Sequence, residues 1–417
     1  MPKLISLYTG AGGLDLGFEA AGFETAVAVE MDPEAVQTLR HNREWPVLDR
    51  DIAAVSSKEI LAAGSLKVGE ADALIGGPPC QPFSKSGYWA SGDTLRLDDP
   101  RAGTLAAYLR VLRDTLPKTF LLENVPGLAY RQKSEGIELI ERTIKSINRQ
   151  HRTSYTLKVA KLNAADFGVP QVRERVFVIG HREDRELSFP LPTHRNSEDG
   201  LLPGGLLPYN TAWDAMGDLE EDDDPVLKVR GKWADLLPSV PEGQNYLWHT
   251  ERGGGRSLFG WRRRYWSFLL KLAKGLPSWT VQAQPGPAIG PFHWKNRRLS
   301  ARELCRIQTF PDGYTILGDL ASAQRQVGNA VPSALAEVLA RAMRRQLLGH
   351  KKVDLQASLI PKPRRPIPPA TPPSPVPSKY RYLEGKHEAH PGTGKGYAAS
   401  KRKTEDLEEA DRIARLA

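Results

Sequence analysis

Only two cysteines, Cys80 and Cys305, occur in 417 residues. That scarcity excludes a disulfide framework and a four-cysteine zinc site, and it points to a reducing compartment. No apolar run approaches the ~18 residues that a membrane span needs, and the first residues lack the basic-then-apolar layout of a secretion signal. The expectation is a cytoplasmic protein with no membrane partner and no metal centre. No internal repeat is present. What the chain does have is positive charge: a formal net charge of +9 and a pI near 9.4 favour an anionic partner such as nucleic acid. Its length suffices for two domains plus extra segments.

The stretch Ala71–Gly87 organises the chain. Ala73–Ile75 reads as a buried strand that stops at Gly76-Gly77-Pro78-Pro79, residues that end a strand and stiffen the turn after it. Cys80 follows, with Pro82 beyond it, so the thiol is held on a rigid loop. A cysteine held this way suits a nucleophile, and the loop alone is equally compatible with a small buried hydrophobe.

Upstream, Lys3–Tyr8 reads as a strand running through Thr9-Gly-Ala-Gly-Gly13 into a helix, Leu14–Ala21, as at the start of a nucleotide-binding βαβ unit. Gly10, Gly12 and Gly13 would let backbone N–H groups approach a polar ligand at the helix N-terminus, and Glu30, ending the strand Thr25–Val29, stands where ribose hydroxyls are bound. The full G-x-G-x-x-G pattern is absent. Asp51-Ile52 follows another turn, and Glu123-Asn124 closes the strand Thr119–Leu122. Acidic or thiol groups thus fall at successive strand ends, where open α/β sheets bind ligands. Ile137, Ile140, Ile144 and Ile147 make the helix Ser134–Asn148 amphipathic, a core stripe. Further strands are expected at Leu157–Leu162 and Val176–Ile179, flanking a loop Asp166–Arg175.

From about Glu183 to Asn296 periodicity is weak and Gly, Pro, Trp and Arg are frequent, which reads as a second domain or large insert. Its segment Arg252–Trp266 mixes arginines with aromatics, as a nucleic-acid surface does and as an arginine-rich loop of any basic protein also does. Regular structure resumes with a helix at Ala301–Gln308, in which Cys305 reads as packing, and one from about Ser333 to Leu348. Beyond Lys351 the chain is dense in proline, then rich in glycine and lysine, and is expected to be disordered, adding salt-dependent affinity for nucleic acid.

In their order along the chain these motifs resemble the DNA (cytosine-5) methyltransferases of bacterial type. The resemblance runs from Leu4 to about Arg345: Tyr8-Thr-Gly-Ala-Gly-Gly13, Glu30-Met-Asp32, Asp51-Ile52, Gly77-Pro-Pro-Cys-Gln-Pro-Phe-Ser84, Glu123-Asn-Val125, Gln171-Val-Arg-Glu-Arg175, Arg302-Glu303 through Gln308-Thr-Phe-Pro-Asp312, and Gly328-Asn-Ala-Val331. Tyr8 replaces a usual phenylalanine and Ala330 a common serine, both conservative departures.

The resemblance implies an α/β fold: a Rossmann-like, S-adenosylmethionine-dependent methyltransferase domain with a mixed, mostly parallel sheet, and a smaller irregular target-recognition domain. The expected division is catalytic domain over 1–183, recognition domain and hinge over 184–318, a helical region completing the catalytic domain over 319–350, and a proline-rich basic tail over 351–417. Cys80 matches the nucleophile that adds to C6 of cytosine, Glu123 the acid at N3, Arg175 the contact to O2, and Arg173 a residue holding the pocket. For the cofactor, the match places Tyr8, Met31 and Asp51 on the adenine, Glu30 on the ribose, and Gly10, Gly12, Gly13 and Leu14 beside the methionine part. Ile52, Pro79, Leu105, Asn329 and Val331 complete that wall. Because C6 is unreachable inside a duplex, the family flips the cytosine out, and residues 81–92 with 98–104 would close over the DNA. Gln81, Ser84, Arg256, Arg262 and Arg263 are the expected DNA contacts. The expected substrate is double-stranded DNA methylated by a monomer, in a restriction-modification system beside a cognate endonuclease or as an orphan methylase. A tRNA-modifying enzyme of the same fold and a non-catalytic DNA-binding regulator are the alternatives. The absence of a Cys-Phe-Thr tripeptide speaks against the first, and the intact Cys80, Glu123 and Arg175 set against the second.

Overall fold

In the computed structural model, which describes residues 1–79, 103–129, 135–196, 205–219, 224–260 and 266–387, a seven-stranded sheet is built from β1 (Lys3–Leu7), β2 (Glu24–Val29), β3 (Val47–Leu48), β4 (Ala73–Gly76), β5 (Thr119–Asn124), β6 (Thr156–Asn163) and β7 (Glu174–His181). The order is β3-β2-β1-β4-β5-β7-β6, and only β7 runs against the others. Continuous apolar runs such as Ala26–Val29 suit strands covered on both faces. Successive strands are added outward in one direction from β1 and in the other from β4, so the carboxyl ends of these two parallel neighbours flank the crevice where this architecture binds ligands.

One face of the sheet packs against the helices Ser57–Ala63, Gly103–Thr115 and Glu135–His151 through Ile60, Tyr108, Leu112 and Ile140. Local chemistry starts these helices: Ser56 and Glu59 form a reciprocal capping box, while Asp32 caps the helix Pro33–Asn42 with proline at its first position. The other face is covered by the helix Gly13–Ala20 and the helix Ser333–Gln346. A Cβ at Gly17 would lie 2.4 Å from both the Ala336 Cβ and the Ser333 carbonyl oxygen, so the two helices approach as closely as glycine permits. A segment more than 300 residues downstream therefore completes the layer over β1.

Between Asp184 and Asn296 the described chain holds only short elements: a parallel pair β8 (His194–Arg195) and β9 (Leu207–Pro208), the helix Ala212–Met216 and several single helical turns. Its core is aromatic, with Trp233, Tyr246, Phe259, Phe268 and Tyr380 in mutual contact. Tyr380 belongs to the tail, and over residues 351–387 this corrects the expectation of disorder. Residues 351–387 lie along the protein, because prolines hold the backbone extended and buried acids take its N–H groups, as when Glu337 accepts from Ser358 and Leu359. Among the described residues no helix is long and apolar enough to cross a membrane.

Candidate active site

A cleft of about 510 Å³ opens at the carboxyl ends of β1 and β4. Tyr8, Gly10, Gly13, Leu14, Glu30, Met31 and Asp51 line one end, Pro79, Glu123, Arg173 and Arg175 the other, and Asn329 and Val331 close it from the far side. Gly12, Ile52 and Leu105 do not line it. Gly12 caps the helix Gly13–Ala20 with φ 81° and faces Leu39 and Tyr314, whereas Ile52 and Leu105 are buried in the core behind the wall.

Tyr8 has φ 55°, a conformation that costs a non-glycine residue about 1 kcal/mol or more, and its hydroxyl donates to the Thr104 carbonyl at 2.7 Å. The Gly10 N–H donates to Glu30 at 2.6 Å, and the N–H groups of Met31 and Asp32 donate to the other carboxylate oxygen at 2.9 and 2.8 Å. Glu30 thus ties the glycine turn to the end of β2, and burial raises its pKa against the hydrogen bonds from Gly10 and Met31 and the charge of Arg325. A Cβ on Gly10 would meet nothing within 4 Å, so this turn presents bare backbone to open space. The Asp51 carboxylate accepts from the Ala53 N–H at 2.9 Å and still borders the cleft. Met31, 62 % exposed, offers an apolar surface at the rim.

At the other end Glu123 and Arg175 meet. They stand on β5 and β7, antiparallel neighbours, and Arg175 Nε lies 2.9 Å from Glu123 Oε1. The loop expected over 166–175 is shorter than its sequence suggests, since β7 begins at Glu174 and carries Arg175 on a strand. Burial raises the Glu123 pKa despite the opposing pull of Arg175 and Arg173. Gly77 makes room for this acid: a Cβ there would sit 2.9 Å from Glu123 Oε2. Arg173 is only 2 % exposed, and its guanidinium donates to the carbonyls of Val281, Gly328 and Ala330 at 3.1, 2.8 and 2.9 Å. It fastens three distant segments at the cleft floor. Burial, then the charge of Arg175, lowers its pKa well below that of an ordinary arginine.

Cys80, Gln81, Ser84, Arg262 and Arg263 lie outside the described residues, as do residues 81–92 and 98–102 of the expected closing loop. The chain leading to Cys80 is anchored in the cleft wall, with the Pro78 carbonyl accepting from Asn124 at 3.2 Å and the Pro79 carbonyl from Thr104 at 3.0 Å. Arg256 has an acid partner, Glu384, at 2.8 Å. Cys305 is buried and its thiol is pushed up to about 12, consistent with packing.

Several site residues escaped sequence reasoning. Gln171 and Gln308 pair amide to amide at 2.9 Å and bind the Val281 N–H and the Val327 and Ala330 carbonyls, bracing the floor that Arg173 fastens. Both stand in motifs already singled out, and that was the available signal. Asp15 sits fully buried under the glycine turn with neither carboxylate oxygen in a well-formed hydrogen bond, and burial raises its pKa to about 7 against the nearby Ser6 hydroxyl. Trp266 and Trp279, 46 % and 38 % exposed, touch edge to face at 5.2 Å beside the segment that hydrogen-bonds Val172.

An open α/β sheet with a ligand crevice at its switch point, shared by a carboxyl–guanidinium pair and an acidic glycine turn, defines a transferase of the Rossmann-like methyltransferase class. The family model for C-5 cytosine-specific DNA methylase matches residues 2–345. The chain is 40% identical over 369 residues to the Type II methyltransferase M.SacI of Streptomyces achromogenes, covering 82% of this chain and 93% of that protein. It is 34% identical over 352 residues to M1.HphI of Haemophilus parahaemolyticus, covering 81% and 86%. A solved DNA modification methyltransferase from an Escherichia coli prophage shares the fold, with a TM-score of 0.60 at 21% identity over 84% of this chain and 100% of that one. The chain belongs to the C-5 cytosine-specific DNA methylase family and is a DNA cytosine-5 methyltransferase.

Proposed function

We propose that the protein methylates C5 of a flipped-out cytosine within one short sequence of double-stranded DNA, through a covalent adduct between Cys80 and C6 and with S-adenosylmethionine as donor. The buried Glu123–Arg175 pair at one end of a cleft, whose other end is the Gly10–Glu30 turn, carries this reading.

The cleft suits that donor. Bare backbone at Gly10, the carboxylates of Glu30 and Asp51, and the apolar Met31 offer groups for the methionine, ribose and adenine parts, and the acids complement a cationic sulfonium. S-adenosylmethionine would supply a methyl group already activated for transfer. Cytosine C5 is a poor nucleophile by itself. Addition of the Cys80 thiolate to C6 pushes electrons through the ring toward N3 and O2, and C5 becomes an enamine carbon. Glu123, whose pKa burial raises, donates a proton at N3, and Arg175 stabilises charge at O2. After transfer, loss of the C5 proton to a base re-forms the double bond and expels Cys80.

The Type II names of its relatives favour a role in restriction-modification, beside a cognate endonuclease. Duplex DNA carrying 5-fluorocytosine tests the chemistry, because fluorine at C5 is not lost as a cation and the adduct persists. A DNA–protein adduct in the presence of donor, absent from Cys80→Ser, supports the proposal; its absence from the wild type counts against it.

A further inference from the structure

We infer that residues 351–387 are a brace that holds the recognition region at one setting against the catalytic core, with Arg364, Arg365 and Tyr380 as positioning residues for DNA binding. The inference rests on the reading of residues 184–296 as the DNA-reading part. The family match ends at residue 345, so this segment is an addition to the shared fold.

The brace has three fastenings. The first is on the catalytic core. Glu337, fully buried in the helix Ser333–Gln346, accepts from the Ser358 N–H at 2.8 Å, the Ser358 hydroxyl at 2.9 Å and the Leu359 N–H at 2.9 Å, while Arg341 pairs with the same carboxylate. Ile360 then packs so tightly at Gly168 that a Cβ there would lie 2.9 Å from its Cγ2. Buried carboxylates are costly to leave unpaired, so this end is firmly set.

The second fastening is Asp214, 1 % exposed at the start of the recognition region. It accepts from the Arg364 N–H at 2.6 Å and pairs with Arg365 at 3.0 Å, and Arg364 also reaches Asp218 at 3.0 Å. The third lies in the aromatic core. The Thr371 and Ser374 N–H groups donate to Glu242 and the Pro238 carbonyl at 3.0 and 2.9 Å. Tyr380 stacks on Trp233 with ring centres 5.8 Å apart and donates to the Lys232 carbonyl at 2.6 Å. The segment therefore supplies part of the core of the region it spans. Near its end, Glu384 pairs with Arg256, a residue expected to meet DNA, and the Gly385 N–H donates to the adjacent Ser257 carbonyl.

Prolines between 361 and 377 restrict the backbone before folding, so little entropy is lost when the segment lies down. Loosening it lets the recognition region sample settings that cannot dock on DNA, and apparent affinity falls in proportion to the competent fraction. The cofactor end of the cleft touches none of these contacts.

Methylation kinetics of full-length R364A/R365A and of Y380A, with Y380F as the conservative control, test the brace. The expected result is a rise of about tenfold in KM for DNA, kcat within about twofold, an unchanged KM for S-adenosylmethionine, and a return toward wild type in Y380F. An unchanged KM for DNA, or losses in kcat and cofactor KM that keep step with it, would overturn the inference and reduce the segment to general support. Hydrogen exchange without DNA gives an independent readout. Faster exchange over 205–260 with β1 and β2 unchanged supports the brace even if the wild type methylates no DNA, an outcome that would refute the proposed function instead; equal exchange in variant and wild type refutes the brace.

Discussion

Arg175 and Glu123 face each other across two antiparallel strands, Nε to Oε1 at 2.9 Å, with both side chains largely buried. On the proposed mechanism the pairing has two consequences for catalysis. It fixes the acid in one orientation, and it leaves a guanidinium beside the place where pyrimidine charge accumulates. Glu123→Gln keeps a donor of the same shape but cannot pass a proton, so kcat is expected to fall about 10²–10⁴-fold with folding intact. Because burial raises the Glu123 pKa, its protonated form persists above the usual carboxylate range and is lost as pH rises through that shifted value. Single-turnover rates across pH should therefore decline on the alkaline side in the wild type, a limb that the glutamine variant lacks.

Gly77 is required by space and not by backbone conformation. A methyl group there meets the Glu123 carboxylate 2.9 Å away and must displace it. Gly77→Ala should lower kcat about 10²-fold, as expected for a displacement of that order, with a stability loss of about 1–3 kcal/mol by chemical denaturation.

Arg173 serves the floor of the cleft. Removing its guanidinium strands the carbonyls of Val281 and Gly328 and leaves Ala330 only the longer bond from Gln308, which at about 1–3 kcal/mol for each unsatisfied group makes Arg173→Ala destabilising by roughly 2 kcal/mol or more. Lysine cannot span three carbonyls and should recover only part of the loss. Equilibrium unfolding in urea measures both.

Asp15 sets a pH dependence of stability. Its pKa rises on folding to about 7, so the native state retains a proton that the unfolded chain gives up, and stability falls as pH rises from the ordinary carboxylate value toward 7. Relative to Asp15→Asn, the wild type should lose on the order of 3 kcal/mol between pH 4 and pH 7. Parallel stability profiles for the two proteins would contradict this.

Most strands and the helices following β1 and β5 could be read from apolar runs, glycine turns and the isoleucine stripe, because those signals are local, and the helices Pro33–Asn42, Ser57–Ala63 and Gly103–Thr115 were not; Ile140, Ile144 and Ile147 are buried as that stripe requires. The cleft was legible for the same reason, since Glu30, Asp51 and Glu123 stand at strand ends. What stayed hidden depends on partners far apart in sequence. Nothing near Arg173 announces carbonyls 108 to 157 residues away, and no local pattern shows Glu337 receiving Ser358 or Asp214 receiving Arg364. The proline-rich segment was misread because composition reports how little core a stretch can build alone, and Tyr380 joins a core built elsewhere.

Bisulfite sequencing of plasmid DNA from cells expressing the protein, beside a Cys80→Ser control, tests the central claim most directly. Protected cytosines confined to one short motif and absent from the control are the predicted result. Conversion of every cytosine in both, or equal protection in both, would contradict it.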